Sequence, residues 1–180
     1  MNQSPVLWER QMKRNKGNLL INSRCFLLVL AFLLLFLPPP AEAATISSAG
    51  GWNQIINSSN LTSGAGSDLT DTYLSSTVAT TLEVSGCADE TEEWQIWIKR
   101  IDQIWDSDRF VLSVKRTSDG TGDGIITGGG AFQVVSTTDA LFFTGQGDRS
   151  GITIQYQLTG ISIQVTPNNY SAAVEFTIMP

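Results

Sequence analysis

Residues 151–180 read GITIQYQLTGISIQVTPNNYSAAVEFTIMP. Ile152, Ile154, Tyr156 and Leu158 alternate with Thr153, Gln155, Gln157 and Thr159. A period of two marks a half-buried strand, because successive side chains of a strand point to opposite faces. Ile161, Ile163 and Val165 carry the alternation past Gly160, which predicts a bend or bulge at that glycine within a continuing strand. Pro167-Asn168-Asn169 predicts a turn. Val174, Phe176 and Ile178 then line one face of a last strand, with Glu175 and Thr177 on the other.

The same grammar runs upstream. Val78, Thr80, Leu82 and Val84 share a face. Trp94, Ile96 and Ile98 alternate with Gln95, Trp97 and Lys99, and Phe110, Leu112 and Val114 repeat the pattern. Residues 132–136 and 140–144 read as strands, and 44–48 and 52–57 as shorter β-prone segments. Asp102–Arg109 reads as an antiparallel connection between the strands on either side of it. The Gly-, Asp- and Thr-rich stretch 118–130 reads as a solvent-facing hairpin loop. About nine strands spaced by turn residues, with no amphipathic helix, predict an all-β fold, an antiparallel β-sandwich, with a closed barrel as the alternative. An outer-membrane barrel is disfavoured because most of these strands are too short to span a bilayer.

The first 43 residues have a different composition. Arg10, Lys13, Arg14, Lys16 and Arg24 precede the unbroken apolar run 25–37, three prolines and Ala41-Glu42-Ala43. A basic segment, a short apolar segment and small residues at −3 and −1 predict a cleavable export signal of bacterial style over residues 1–43 and a single domain over 44–180. The alternative is an uncleaved anchor over 19–37, interrupted by Asn22, Ser23 and Arg24. Cys25 opens the apolar run instead of following it, which argues against a lipid anchor.

Cleavage would leave 137 residues with six basic and fifteen acidic side chains, a net charge of −9. Such acidity disfavours nucleic acid and anionic membrane surfaces, which require a basic face. A chain of this length can bury a core without staples. Cys87 would be its single cysteine, so an intramolecular disulfide is excluded, and Cys87 is expected to fill a small-residue turn or to pair between chains. The chain has no histidine, which removes Ser-His and Cys-His nucleophilic catalysis and the usual zinc sets.

Three groups of residues bear on function. Trp97 faces away from Trp94, Ile96 and Ile98 and is the best exposed aromatic; Trp52 and Trp105 join it as candidates for stacking on the apolar face of a sugar ring, against the plainer role of core or edge packing. Asp119, Thr121 and Asp123 stand at i, i+2 and i+4, a spacing from which oxygen ligands can curl around Ca²⁺, but the twelfth position of such a loop, Gly130, is not the required Glu. The acidic groups Asp89, Glu90, Glu92, Glu93 and Asp102, Asp106, Asp108 read as solvated turns in preference to a carboxylate pair for glycoside hydrolysis.

The ending Pro167-Asn168-Asn169-Tyr170-Ser171-Ala172-Ala173-Val174-Glu175-Phe176-Thr177-Ile178 resembles the last strand of exported bacterial pilin-like and spore-coat-U-like domains. The resemblance covers these twelve residues and implies an Ig-like or pilin-like sandwich serving as a surface, fimbrial or coat subunit. The β-prone arm 44–48, followed by Gly50-Gly51, is a candidate for strand donation to a neighbour's sheet edge, or for pairing within its own domain. The expectation is therefore an exported, non-enzymatic structural or adhesive protein of the periplasm, cell surface or medium. It would self-associate through an edge strand or the N-terminal arm, keep no membrane span after cleavage and need no cofactor. A secreted carbohydrate-binding module is the alternative, and a carboxylate glycosidase a distant third.

Overall fold

The computed structural model describes residues 43–180; the expected export signal lies outside the described residues. Ten strands and one 3-10 turn, Ser58–Asn60, occur among them: β1 Thr45–Gly50, β2 Tyr73–Leu74, β3 Thr80–Ser85, β4 Glu93–Ile104, β5 Val111–Arg116, β6 Ile126–Gly128, β7 Gln133–Val134, β8 Ala140–Gln146, β9 Arg149–Thr159 and β10 Ser171–Met179. They form two antiparallel sheets. One has the order β1-β3-β9-β5-β7, with β2 also paired to β9; the other has the order β10-β4-β8-β6.

No two strands consecutive in the chain pair with each other, and from β3 onward every connection changes sheet. The fold is thus all-β and antiparallel, as the alternation predicts, but it contains no hairpin among the described residues. Asp102–Arg109 is a case in point: β4 runs on to Ile104, and β5 then joins the other sheet beside β9. The segment 118–130 is solvent-facing over most of its length, as expected, but it is not a hairpin loop. Its first part lies flat against the β8–β9 connection, where Thr121 and Ser150 exchange backbone hydrogen bonds of 2.7 and 2.9 Å. A Cβ on Gly120, Gly122 or Gly124 would collide with backbone there. Its second part is β6, which pairs Ile126 with Gly145.

The inward residues of both sheets meet in one core. Leu82 and Val84, Leu112 and Val114, and Ile152, Ile154 and Tyr156 come from one sheet; Trp94, Ile96, Ile98, Ile126, Phe142 and Phe143 come from the other. Val174, Phe176 and Ile178 pack against it from β10. Trp94 stands edge-on to Phe143 and donates its Nε1–H to the Gly147 carbonyl at 2.8 Å, so the largest core side chain leaves no buried donor unpaired. Gly145 sits directly against the Trp94 ring, in space a side chain would need.

Two expected strands are absent. β9 ends at Thr159, because Gly160 takes φ +89° and gives its N–H to the Asp71 carboxylate at 3.0 Å. Ile161 turns into a second, smaller cluster with Tyr73 and Phe110, while Ile163 is exposed, so the alternation beyond Gly160 is not a strand. Residues 52–57 are also not a strand. Gly50 and Gly51 both take positive φ, and this leads the chain off the sheet edge. Val78 lies in a turn before β3 and is exposed. The N-terminal arm is β1 itself, and it pairs along its whole length with β3 of its own chain, from Thr45 with Ser85 to Gly50 with Thr80.

Candidate functional site

Where β1 leaves the sheet and β10 begins, a groove of about 900 Å³ is lined by residues 50–56 and 168–174. Thr80, Leu112 and Tyr156 form its floor, and Trp52, Trp105, Phe110 and Tyr170 its aromatic walls. Phe110 organises these rings. It is buried and stands edge-on to Trp105, with centroids 5.4 Å apart, and to Tyr170, at 4.8 Å. The Tyr170 hydroxyl donates to the Thr166 carbonyl at 2.8 Å. On the floor, the Tyr156 and Thr80 hydroxyls share a buried hydrogen bond of 2.7 Å. Burial pushes the Tyr156 phenol up, and the Thr80 hydrogen bond offsets part of that. The rim is uncharged and polar: Asn53, Gln54, Asn168, Asn169 and Ser171.

Trp105 is fixed from behind by Arg100. The alternation that buries Trp94, Ile96 and Ile98 also carries Arg100 inward, where it is only 8 % exposed. Its guanidinium lies over the Trp105 ring at 5.0 Å, donates to Asp102 at 2.5 and 3.2 Å, and donates to the Val135 carbonyl at 3.2 Å. Those hydrogen bonds hold the Asp102 carboxyl below its usual value. The Trp105 Nε1 and the Tyr73 hydroxyl are buried without partners.

Of the three tryptophans singled out in the sequence, Trp52 and Trp105 share this groove and Trp97 does not. Trp97 lies on the outward face of β4, aligned with Thr177 and Leu141 on the neighbouring strands, and donates to Gln95 Oε1 at 3.1 Å. It is half-buried there.

The residues of the Ca²⁺ spacing are also separated. The Asp119 carboxylate pairs with Arg116, whereas Thr121 and Asp123 line a second cavity of about 570 Å³ at the junction of β3, β9 and the turn before β4. No cluster of three or more metal-ligating side chains occurs among the described residues. Cys87 lines this cavity as well and is unpaired. Burial, then the hydrogen bond and charge of Asp148, with Glu92 and Asp89 behind, push its thiol up to about 11. The acidic turn caps itself: Asp89 accepts from the backbone and hydroxyl of Thr91, and Glu92 accepts from the Ala88 N–H.

The structure buries two arginines, and the sequence signals only one of them. Arg100 was legible, since it continues a period-2 pattern. Arg149 was not, because the β3–β9 register slips between Leu82–Ile152 and Val84–Arg149, and this bulge turns it inward.

No helix among the described residues is long and apolar enough to cross a membrane. No protein family matches this chain, and no curated protein matches it.

Proposed function

We propose that the protein is an exported β-sandwich that acts as an adhesive surface protein, and that it holds glycans in the aromatic groove. The observation that carries this reading is that Trp52 and Trp105 both line one open groove with an uncharged amide and hydroxyl rim. Aromatic rings cover the apolar face of a pyranose, while Asn and Gln side chains supply both donors and acceptors to its hydroxyls. The net negative charge of the chain fits neutral sugars better than acidic ones. The resemblance of residues 167–178 to pilin-like and coat-like domains supports the surface setting. The test is tryptophan fluorescence quenching by a panel of neutral oligosaccharides, with Trp52→Ala and Trp97→Ala compared. Saturable quenching that is lost in Trp52→Ala and kept in Trp97→Ala supports the groove; loss in Trp97→Ala alone moves the site to the outer face of β4. Absence of quenching by every glycan refutes the adhesive reading.

A second reading is assembly into a fimbrial or coat structure by strand addition. It rests on β10, a nine-residue edge strand whose outer side no strand among the described residues pairs. Concentration-dependent filaments in negative-stain electron microscopy would support it, and single particles at every concentration would remove it.

A further inference from the structure

The second cavity contains an arginine that no carboxylate among the described residues pairs with directly. Arg149 is 8 % exposed, its Nε has no hydrogen-bond partner, and none of the ion pairs among the described residues includes it. A buried N–H without a partner is costly unless something satisfies it. Its neighbour Arg116 has already taken the Asp119 carboxylate and the Gly128 carbonyl. Arg116 is pushed below its usual value by burial and then by the positive charge of Arg149, so the two cations are close enough to repel. The remaining carboxylates, Glu83, Asp89, Glu90, Asp123 and Asp148, line the cavity around Arg149. The site therefore offers a guanidinium with a buried, unpartnered Nε–H, suited to a carboxylate, and several acceptors suited to ammonium groups.

We propose that this cavity binds a small amino acid carrying one carboxylate and more than one protonated amine, with the carboxylate on Arg149 and the amines on Asp123, Asp148 and their acidic neighbours. A simple anion would meet the repulsion of five carboxylates, and a simple polyamine would leave Arg149 unpaired. Only a ligand with both charges in unequal number matches the lining. The volume of about 570 Å³ accommodates a molecule of this size. The site is separate from the aromatic groove and does not depend on the glycan reading.

The test is isothermal titration of the purified protein with L-lysine, acetate and 1,5-diaminopentane. L-lysine is expected to bind saturably, and at least about tenfold more tightly than either fragment, since each fragment satisfies half the site. Arg149→Met should abolish binding. Because that substitution alters a buried position, Asp123→Asn, at an exposed side chain, provides the second probe and should weaken L-lysine without shifting the thermal midpoint. No saturable heat with L-lysine up to about 10 mM, where even a millimolar site fills, overturns the proposal. So does equal binding of acetate and L-lysine, or unchanged affinity in Asp123→Asn.

Discussion

Tyr156 and Thr80 donate and accept across the floor of the aromatic groove, and that single hydrogen bond makes a non-additive prediction. Both residues are buried, at 8 % and 4 % exposure, and their oxygens lie 2.7 Å apart. Tyr156→Phe leaves the Thr80 hydroxyl buried with nothing to bond. Thr80→Val leaves the Tyr156 hydroxyl in the same position. Each orphaned group costs about 1–3 kcal/mol, whereas removing both partners with shape retained comes close to neutral. We therefore expect each single variant to lose about 1.5 kcal/mol and the double variant to lose no more than either single. The coupling is then about 1.5 kcal/mol or more, within the range for residues in contact. Urea unfolding followed by tryptophan fluorescence reads this directly. At an m-value of about 1.5 kcal/mol/M, each single variant lowers the midpoint by about 1 M. A double variant whose loss equals the sum of the singles to within about 0.3 kcal/mol refutes the reasoning, because independent sites add to that tolerance. It would mean that water entering the groove already satisfies both hydroxyls.

Two further predictions concern titrating groups. With its thiol pushed up to about 11, Cys87 is thiolate in only about one molecule in a thousand at about pH 8. Its alkylation by iodoacetamide, followed by peptide mapping, should be on the order of 100-fold slower in the native protein than in denaturant, and should accelerate about tenfold per pH unit through about pH 10; equal native and denatured rates would show the thiol to be unshifted. Asp102 is held low chiefly by its hydrogen bond from Arg100, so that pair stabilises the fold fully above the ordinary carboxylate value of about 4 and ceases to do so as the pH falls through the depressed one. Asp102→Asn should thus melt below the wild type at neutral pH, with the gap closing in acid; a gap that stays constant down to about pH 2 would mean that the charge on Asp102 is irrelevant.

Much of the core was legible from alternation. Trp94, Ile96 and Ile98, then Phe110, Leu112 and Val114, then Ile152, Ile154 and Tyr156 are all buried, and Trp97 faces outward. Which strands pair was not legible, and the reason is topological. A hairpin announces itself through a short turn between two patterned segments, but here the links after β4 and β8 carry the chain into the other sheet. Every register is therefore set by contacts distant in sequence, which a local pattern does not encode. The run from Ile161 to Val165 misled for a different reason. Its alternation was real, yet at Gly160 a Cβ would collide with the Arg109 carbonyl, and the Asp71 carboxylate draws the backbone aside. Trp52 and Trp105 were visible as aromatics, but their meeting across one groove depends on where β1 ends relative to β4, which again is non-local.

The same topology separates the two candidate sites. The groove takes residues from the end of β1, the start of β3, the end of β4, the start of β5 and the end of β9. The cavity takes them from the end of β3, the turn before β4, the loop after β5 and the start of β9. In antiparallel sheets these sets lie at opposite ends of the strands. Tyr156 and Arg149 share β9 at a spacing of seven residues, about 23 Å along a strand. Their environments have no side chain in common, so substitutions in one are expected to leave ligand binding at the other unchanged, just as distant sites add in stability. Trp94, Ile96 and Ile154 belong to the core that is packed between them.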